Sequence, residues 1–70
     1  MRLTKIKLRR LERDLLQVDV ARRAGIGRSR LSEIECGHAA PRPDELVRIA
    51  RALGVDVGLL LPESGEARVA

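Results

Sequence analysis

The chain of 70 residues contains no phenylalanine, tyrosine or tryptophan. Proteins that hold single-stranded nucleic acid by stacking its bases use aromatic rings, so this mode of binding is disfavoured. Without aromatic side chains the core must be built from Leu, Ile, Val and Ala. That composition suits helices better than a β-barrel or a β-sandwich, and we therefore expect an all-α fold.

Cysteine and long apolar runs are also scarce. Cys36 is the only cysteine, which excludes an intramolecular disulfide and a cysteine-cluster metal site. A single thiol, interpreted as an inert small residue, suits a reducing cytosol. No apolar run approaches the ~18 residues that a membrane-spanning helix needs. We therefore expect neither a membrane anchor nor a signal peptide.

The length allows one domain. We interpret residues 1–70 as that domain, with an ordered core at about residues 5–61 and a flexible tail at residues 62–70. A core of this size rarely supplies more than ~3–5 kcal/mol of stability by itself. Dimerisation or binding to a partner would add to it, because either stabilises only the folded state.

Positive charge is concentrated in the first part of the chain. Residues 1–30 contain ten Lys or Arg and three Asp or Glu, whereas residues 31–70 contain four and seven. The net charges of the two parts are therefore +7 and −3, within a total of +4. This asymmetry fits a polyanionic partner, although a merely soluble basic protein would also carry a charge excess.

The segment from Gln17 to Glu35 has the pattern of two short helices joined by a glycine turn. The first helix carries Val20, Ala21 and Ala24 at helical spacing, so a second helix can pack closely against this small-residue face. Gly25 can adopt a positive φ without a Cβ clash, which ends the helix and lets the chain reverse.

The second helix of this pair, residues 28–35, is amphipathic. At ~100° per residue, Leu31 and Ile34 lie on one side. The opposite side carries hydrogen-bonding residues: Arg28, Ser29, Ser32 and Glu33. Such side chains can read base edges in a DNA major groove, because arginine binds guanine, glutamate accepts from cytosine and serine adapts to several edges. The alternative is a solvated helix face, which the glycine turn and the surrounding basic charge disfavour.

The sequence around this helix pair resembles the helix-turn-helix family of the lambdoid phage repressors and Cro, often called the XRE family. The resemblance covers about residues 5–61, nearly the whole chain. It depends on the order and spacing of these residues: Arg10, Gln17, Ala21, Gly25, Ile34, Glu35, Gly37, Pro41, Ala50, Leu53 and Gly54. Each motif is weak alone, and together they are specific. The resemblance implies a compact five-helix, lambda repressor-like domain.

The resemblance also implies roles for individual residues. Gln17, at the start of the second helix, would bind a DNA phosphate, and Arg42 in the loop after the third helix would bind another. Arg30 points away from the centre of the base-reading face, and we interpret it as a phosphate contact or a solvated residue. Arg10 and Glu35 would form a structural ion pair that ties the first helix to the third.

Capping signals predict where the first two helices begin. Thr4 is the predicted N-cap of a first helix at about residues 5–13, which would turn Ile6, Arg10 and Leu11 toward the core. Leu16 occupies the N-cap position of the second helix. Because leucine has no side-chain oxygen, we expect a weaker helix start there.

Similar signals predict the last two helices. Pro43 fits the first position of a fourth helix, and Asp56 can cap a short fifth helix over residues 57–61. That fifth segment is crowded with apolar residues, of which three are candidate dimer contacts: Val57, Leu60 and Leu61. The alternative is that they close the base of a small core, and both interpretations stay open. In a twofold dimer the reading helices would lie ~34 Å apart and meet an inverted repeat.

Three functional hypotheses follow. The first is a sequence-specific regulator of transcription that binds double-stranded DNA and represses as a homodimer, in the cytoplasm and associated with the nucleoid. The second is an antitoxin-like module that binds a partner protein and autoregulates. The third, an enzyme, is disfavoured because His38 has no nearby catalytic partner and the acidic residues are dispersed on helix surfaces. No cofactor, metal or membrane partner is predicted.

Overall fold

The computed structural model describes residues 4–61, which form four α-helices followed by a short 3₁₀ helix and contain no strand. Their bounds are α1 Lys5–Glu12, α2 Gln17–Ala24, α3 Arg28–Glu35, α4 Pro43–Leu53 and the 3₁₀ helix Val57–Leu60. The predicted all-α fold is confirmed. The fifth element differs from the prediction, since Leu61 is already extended and the segment closes as a 3₁₀ helix. The predicted tail, residues 62–70, lies outside the described residues.

Thr4 caps α1, as predicted. Its Oγ1 accepts a hydrogen bond from the Lys7 N–H at 3.2 Å and donates one to the Glu35 carbonyl oxygen at 2.9 Å. One side chain therefore satisfies a backbone donor at the start of α1 and a backbone acceptor at the end of α3. Thr4 therefore joins the start of α1 to the end of α3.

The prediction that Leu11 faces the core is wrong. Leu11 is 48% exposed, whereas Ile6 is 5% exposed. Ile6 and Arg10 are four residues apart and share the inward face of α1. Leu11 follows Arg10 by ~100° around the helix, which turns its side chain toward solvent.

Left-handed glycines end α2, α3 and α4, and the one at Gly25 was predicted. Gly25 has a φ of 71°, and its N–H donates to the Arg22 carbonyl at 3.1 Å while the Ile26 N–H donates to the Ala21 carbonyl at 3.0 Å. This pair of bonds is a Schellman motif, which satisfies carbonyl groups that the helix itself leaves without donors. The same pattern of bonds recurs at Gly37 and Gly54.

The core lies chiefly between α2 and α4, which pack together more extensively than any other pair of elements. Its buried apolar residues are Ile6, Val20, Ala21, Ala24, Leu31, Ile34, Ile49, Ala50, Leu53 and Leu60. Small residues on α2 allow α4 to approach closely, as their spacing predicted. No helix within residues 4–61 has the length and apolarity needed to cross a membrane.

The 3₁₀ helix closes one side of this core, which corrects one predicted dimer contact. Leu60 is only 4% exposed because it packs into the core, so it is unavailable to a second copy of the chain. Val57 is half-buried against the same core, whereas Leu61 is 47% exposed. Of the three predicted dimer contacts, Leu61 is the one with a largely free side chain.

Candidate nucleic-acid interface

An open surface groove brings together five of the residues predicted to contact DNA. They are Gln17, Arg28, Ser29, Ser32 and Glu33. The first begins α2 and the other four lie along α3. The helical spacing of α3 predicted that its polar residues share a face, and the tertiary structure adds the start of α2 as a wall. Contact of these residues with DNA stays a prediction.

The opposite face of α3 explains why this polar face is outward. Leu31 is fully buried and Ile34 is 2% exposed, so the helix cannot rotate without exposing its apolar side. Gly27 precedes the helix as its N-cap, and its carbonyl accepts from the Leu31 N–H at 3.0 Å. Burial therefore sets the rotation of α3 about its axis, and the polar residues follow.

Glu35, the last residue of α3, is 1% exposed and is bound by Arg10. The Arg10 Nε donates to Oε2 at 2.8 Å, and Nη2 donates to Oε1 at 3.0 Å. The Arg10 Nη1 donates to the Leu15 carbonyl at 2.9 Å. The ion pair that the resemblance implied is therefore present, and it joins α1, the α1–α2 turn and α3 through bidentate, charge-assisted bonds.

Gln17 also binds Glu35, which sequence reasoning did not predict. Its Nε2 donates to Glu35 Oε1 at 3.1 Å. One amide hydrogen of Nε2 is thereby used, and the second remains able to donate to a phosphate. No side chain caps the start of α2, where Leu16 stands, as predicted. We call Glu35, Arg10, Gln17 and the Leu15 carbonyl the Glu35 network.

A second buried carboxylate, Glu45 in the first turn of α4, is 4% exposed. The Arg30 Nη2 donates to its Oε1 at 2.9 Å, and the Arg30 Nε donates to its Oε2 at 3.2 Å. Oε1 also accepts from the Arg42 N–H at 2.8 Å. The Arg30 Nη2 reaches the Ala40 carbonyl as well, at 3.2 Å. We call these four groups the Glu45 network.

The Glu45 network stabilises the charged forms of both Glu45 and Arg30. The hydrogen bonds from Arg30, and then the one from the Arg42 N–H, lower the pKa of Glu45 to about 2. The hydrogen bond to Glu45 in turn raises the pKa of Arg30. Both groups are therefore ionised at neutral pH, and the positive charge of Arg30 is offset by a carboxylate in direct contact.

Sequence reasoning missed the Arg30–Glu45 pair because its members lie 15 residues apart and on different helices. One local signal existed for Glu45. A glutamate at the third position of a helix reaches back to the N-cap N–H, and here it accepts from Arg42. Nothing local marked Arg30 as its partner. The predicted phosphate contact of Arg30 stays a prediction, although its guanidinium already has protein acceptors.

Arg28 and Arg42, the two other arginines predicted to contact DNA, are held less firmly by protein partners than Arg30. Arg28 is exposed, and none of the ion pairs found within residues 4–61 includes it. Arg42 has a side chain that is 68% exposed, and its guanidinium lies 3.7 Å from Asp44 Oδ1 and 3.8 Å from Glu45 Oε2. Such loose, solvated contacts leave a guanidinium able to move to another anion.

The turn after α3 carries Cys36 and His38, and both are exposed. The His, Cys, Asp and Glu side chains of residues 4–61 do not form a group that could hold a metal ion. The groove combines hydrogen-bonding side chains from α2 and α3 with the positive charge of Arg28.

Comparison with known proteins agrees with this geometry. A protein-family model described as helix-turn-helix matches residues 6–60. Among solved structures, the chain is similar to the crystal structure of the hypothetical transcription factor NHTF from Neisseria, with 27% sequence identity and a TM-score of 0.73. The match covers 94% of this chain and 77% of that one. A search of the curated proteins found no match. The chain belongs to the helix-turn-helix family of the phage repressor and Cro type.

Proposed function

We propose that this protein is a sequence-specific regulator of transcription that represses by occupying an operator in double-stranded DNA as a homodimer. The observation that carries the proposal is the groove in which Arg28 stands without a protein partner among residues 4–61, beside three further hydrogen-bonding side chains of α3. An arginine that is not engaged by a carboxylate can direct both donors of its fork at guanine O6 and N7.

Specificity is assigned to the exposed face of α3. Arg28 and Ser29 lie in its first turn, where a recognition helix contacts base edges in the major groove. Ser32 and Glu33 lie one turn further along the same groove. Glu33 would accept a hydrogen bond from cytosine N4, while a bidentate pair of Arg28 with guanine would discriminate between bases by ~1–3 kcal/mol.

Affinity is assigned to groups at the edges of this face. Gln17 offers its second amide hydrogen, and the uncapped start of α2 offers backbone N–H groups, all of which suit a phosphate oxygen. Arg42 stands at the N-cap of α4, with a mostly exposed side chain that can reach a second phosphate. Phosphates bound at Gln17 and at Arg42 would fix the register of α3 on the duplex.

Dimerisation is proposed through the end of the described chain. Leu59, within the 3₁₀ helix, is 45% exposed, and Leu61, directly after it, is 47% exposed. A second copy would cover them by an isologous contact, in which the same surface patch is used twice. The operator would then be an inverted repeat with half-sites one helical turn apart, ~34 Å.

The test is selection from a random pool of DNA duplexes by the purified protein, at moderate salt. Enrichment of an inverted repeat supports a dimeric operator-binding regulator. Enrichment of a single half-site supports the α3 assignment and contradicts the dimer. Salt-sensitive binding without any enrichment contradicts the proposed reading of bases, and would favour the antitoxin-like module that holds a protein partner.

Arg28→Ala and Arg51→Ala form a matched pair for this test. Both remove one exposed arginine, but Arg51 lies on α4, outside the groove. We expect Arg28→Ala to relax preference at one base position of each half-site by ~1–3 kcal/mol. Arg51→Ala should keep the selected sequence. Equal selection by the two variants would contradict the assignment of Arg28 as a base-reading residue.

A further inference from the structure

We propose that Arg30 is a positioning residue for DNA binding, which holds the loop between α3 and α4 in place against α3 and does not itself bind a phosphate. This inference rests on the function proposed above. It concerns a residue inside the predicted recognition helix that sequence reasoning interpreted differently. The loop, residues 36–42, carries Arg42, which is the second proposed phosphate contact and the N-cap residue of α4.

The guanidinium of Arg30 joins three segments of the chain. Arg30 belongs to α3, while its acceptors are the Ala40 carbonyl in the loop, at 3.2 Å, and both oxygens of Glu45 in α4, at 2.9 and 3.2 Å. Glu45 in turn accepts from the Arg42 N–H at 2.8 Å. A chain of hydrogen bonds therefore runs from the recognition helix to the backbone of the residue proposed to bind the flanking phosphate.

The other contacts of the loop show why this link matters. In the first half of the loop, backbone N–H groups donate to carbonyls of α3: Gly37 to Ile34 at 3.1 Å, and His38 and Ala39 to Glu33 at 2.9 and 3.2 Å. Within residues 4–61, no backbone hydrogen bond ties residues 40–42 to α3. Arg30 attaches this second half, directly by one hydrogen bond to the Ala40 carbonyl and indirectly through Glu45, which accepts from the Arg42 N–H.

The charge of Arg30 argues against a direct phosphate contact. Its Nε and Nη2 are occupied by Glu45 and Ala40, and only Nη1 has no hydrogen-bond partner among the described residues. A cation already in contact with a carboxylate releases few counterions from DNA, because the ion pair carries no net charge. Arg28, two residues earlier, has no such carboxylate within residues 4–61.

Arg30→Lys separates the two interpretations. Lysine keeps the positive charge but lacks the planar fork, so it cannot hold both Glu45 oxygens and the Ala40 carbonyl in the same geometry. A lysine is an adequate phosphate contact. The readout is the ratio of affinities for the selected duplex and a scrambled duplex, measured by fluorescence anisotropy over a series of salt concentrations. General electrostatic attraction acts on both duplexes alike, so it cancels in this ratio.

Positioning by Arg30 predicts that Arg30→Lys lowers this ratio by about tenfold, which is within the contribution of one well-formed bidentate base contact. The slope of log affinity against log salt should stay unchanged. Retention of the wild-type ratio in the folded Arg30→Lys protein would overturn the inference. Circular dichroism melting of the same samples shows that each protein is folded at the temperature of the binding measurement.

Glu45→Gln tests the same link from its other end and keeps the inference falsifiable if the lysine variant does not fold. Glutamine retains an oxygen that accepts from the Arg42 N–H, but leaves the charge of Arg30 without its carboxylate. Positioning predicts a lower ratio here too. A phosphate-binding Arg30 predicts a maintained ratio and a salt slope that steepens by up to ~0.9, and that result would overturn the inference.

Two failures remain distinguishable in this design. If the wild-type protein selects no sequence from the random pool, the proposed function fails and this inference fails with it. If the wild-type protein is selective and the two variants keep its selectivity, the positioning role alone fails. Arg51→Lys serves as the matched control, an arginine-to-lysine exchange at an exposed position of α4, and we expect it to keep the wild-type ratio.

Discussion

The Glu35 network and the Glu45 network are built alike but lie in different surroundings. In each, a buried glutamate is held by two N–H donors of an arginine. The side chain of Arg10 is 11% exposed, whereas that of Arg30 is 36% exposed. The first network joins α3 to α1 and α2 beneath the groove. The second joins α3 to the loop and to α4, through an arginine two residues after Arg28.

This difference indicates different roles for the same chemistry. An ion pair that is closed to water leaves an uncompensated buried charge when one partner is removed, and that is costly. Removing one partner of a pair that water can reach costs less stability, because solvent replaces part of the lost interaction. We therefore interpret the Glu35 network as a determinant of folding and the Glu45 network as a determinant of the geometry of the interface.

The largest effect is expected from Arg10→Met. It leaves Glu35 buried without its cation, which costs ~3–5 kcal/mol in comparable buried pairs. Since a core of this size supplies stability of the same order, ~3–5 kcal/mol, we expect the variant to be largely unfolded at 25 °C. Circular dichroism at 222 nm with thermal and urea unfolding measures this.

The double variant Arg10→Met with Glu35→Met is the matched control. Replacing both partners by apolar residues of similar volume removes the uncompensated charge, so folding should be recovered in large part. A single Arg10→Met protein that melts at the wild-type temperature would contradict the role assigned to the Glu35 network.

A smaller loss is expected from Arg30→Met. Its guanidinium is more exposed than that of Arg10, and Glu45 keeps the hydrogen bond from the Arg42 N–H at 2.8 Å. We expect a folded protein with a lower melting temperature than wild type and a higher one than Arg10→Met. Equal destabilisation by the two substitutions would remove the distinction drawn between the networks.

Acid should weaken the Glu45 network in a defined range of pH. The pKa of Glu45 is lowered from an ordinary value of 4.5 to about 2 in the folded protein. Its contribution to stability is therefore present above pH 4.5 and is lost as the pH falls toward 2, because the unfolded state binds the proton first. Urea unfolding at a series of pH values measures the loss, and Glu45→Gln should flatten that part of the profile.

The smallest expected change is a gain, from Leu16→Ser. Leu16 is 64% exposed and stands uncapped before α2, the helix that supplies Gln17 to the Glu35 network. A serine hydroxyl can accept from a backbone N–H in the first turn, so stability should rise by about 1 kcal/mol. Leu16→Ala supplies the control, since alanine shortens the side chain without capping. A gain as large in the alanine variant would show that capping is not the cause.

Much of the fold was predictable because it depends on interactions within a few residues. The cap at Thr4, the left-handed turn at Gly25 and the helix start at Pro43 each follow from the chemistry of one side chain and its immediate neighbours. The shared face of Arg28, Ser29, Ser32 and Glu33 follows from the 3.6-residue period alone, ~100° per residue. These features need no knowledge of how the helices cross.

Tertiary structure decided the features that depend on how distant segments meet. Leu60 looked like a candidate dimer contact in an apolar run, and it is buried because the 3₁₀ helix folds back onto α4 and α1. Arg30 and Glu45 are charged residues on separate helices, and no local pattern pairs them.

The sequence by itself therefore determined the four α-helices, the caps at Thr4 and Gly25 and the polar face proposed to read DNA, since each depends on backbone geometry and nearest neighbours. Only the tertiary structure decided which charges are paired and which stay free for a ligand. That decision distinguishes Arg28, which has no ion-pair partner among residues 4–61, from Arg30, which lies two positions further along and is bound to Glu45. The physical reason is that α3 and α4 both pack against α2, and this packing brings one arginine and not the other within reach of the carboxylate.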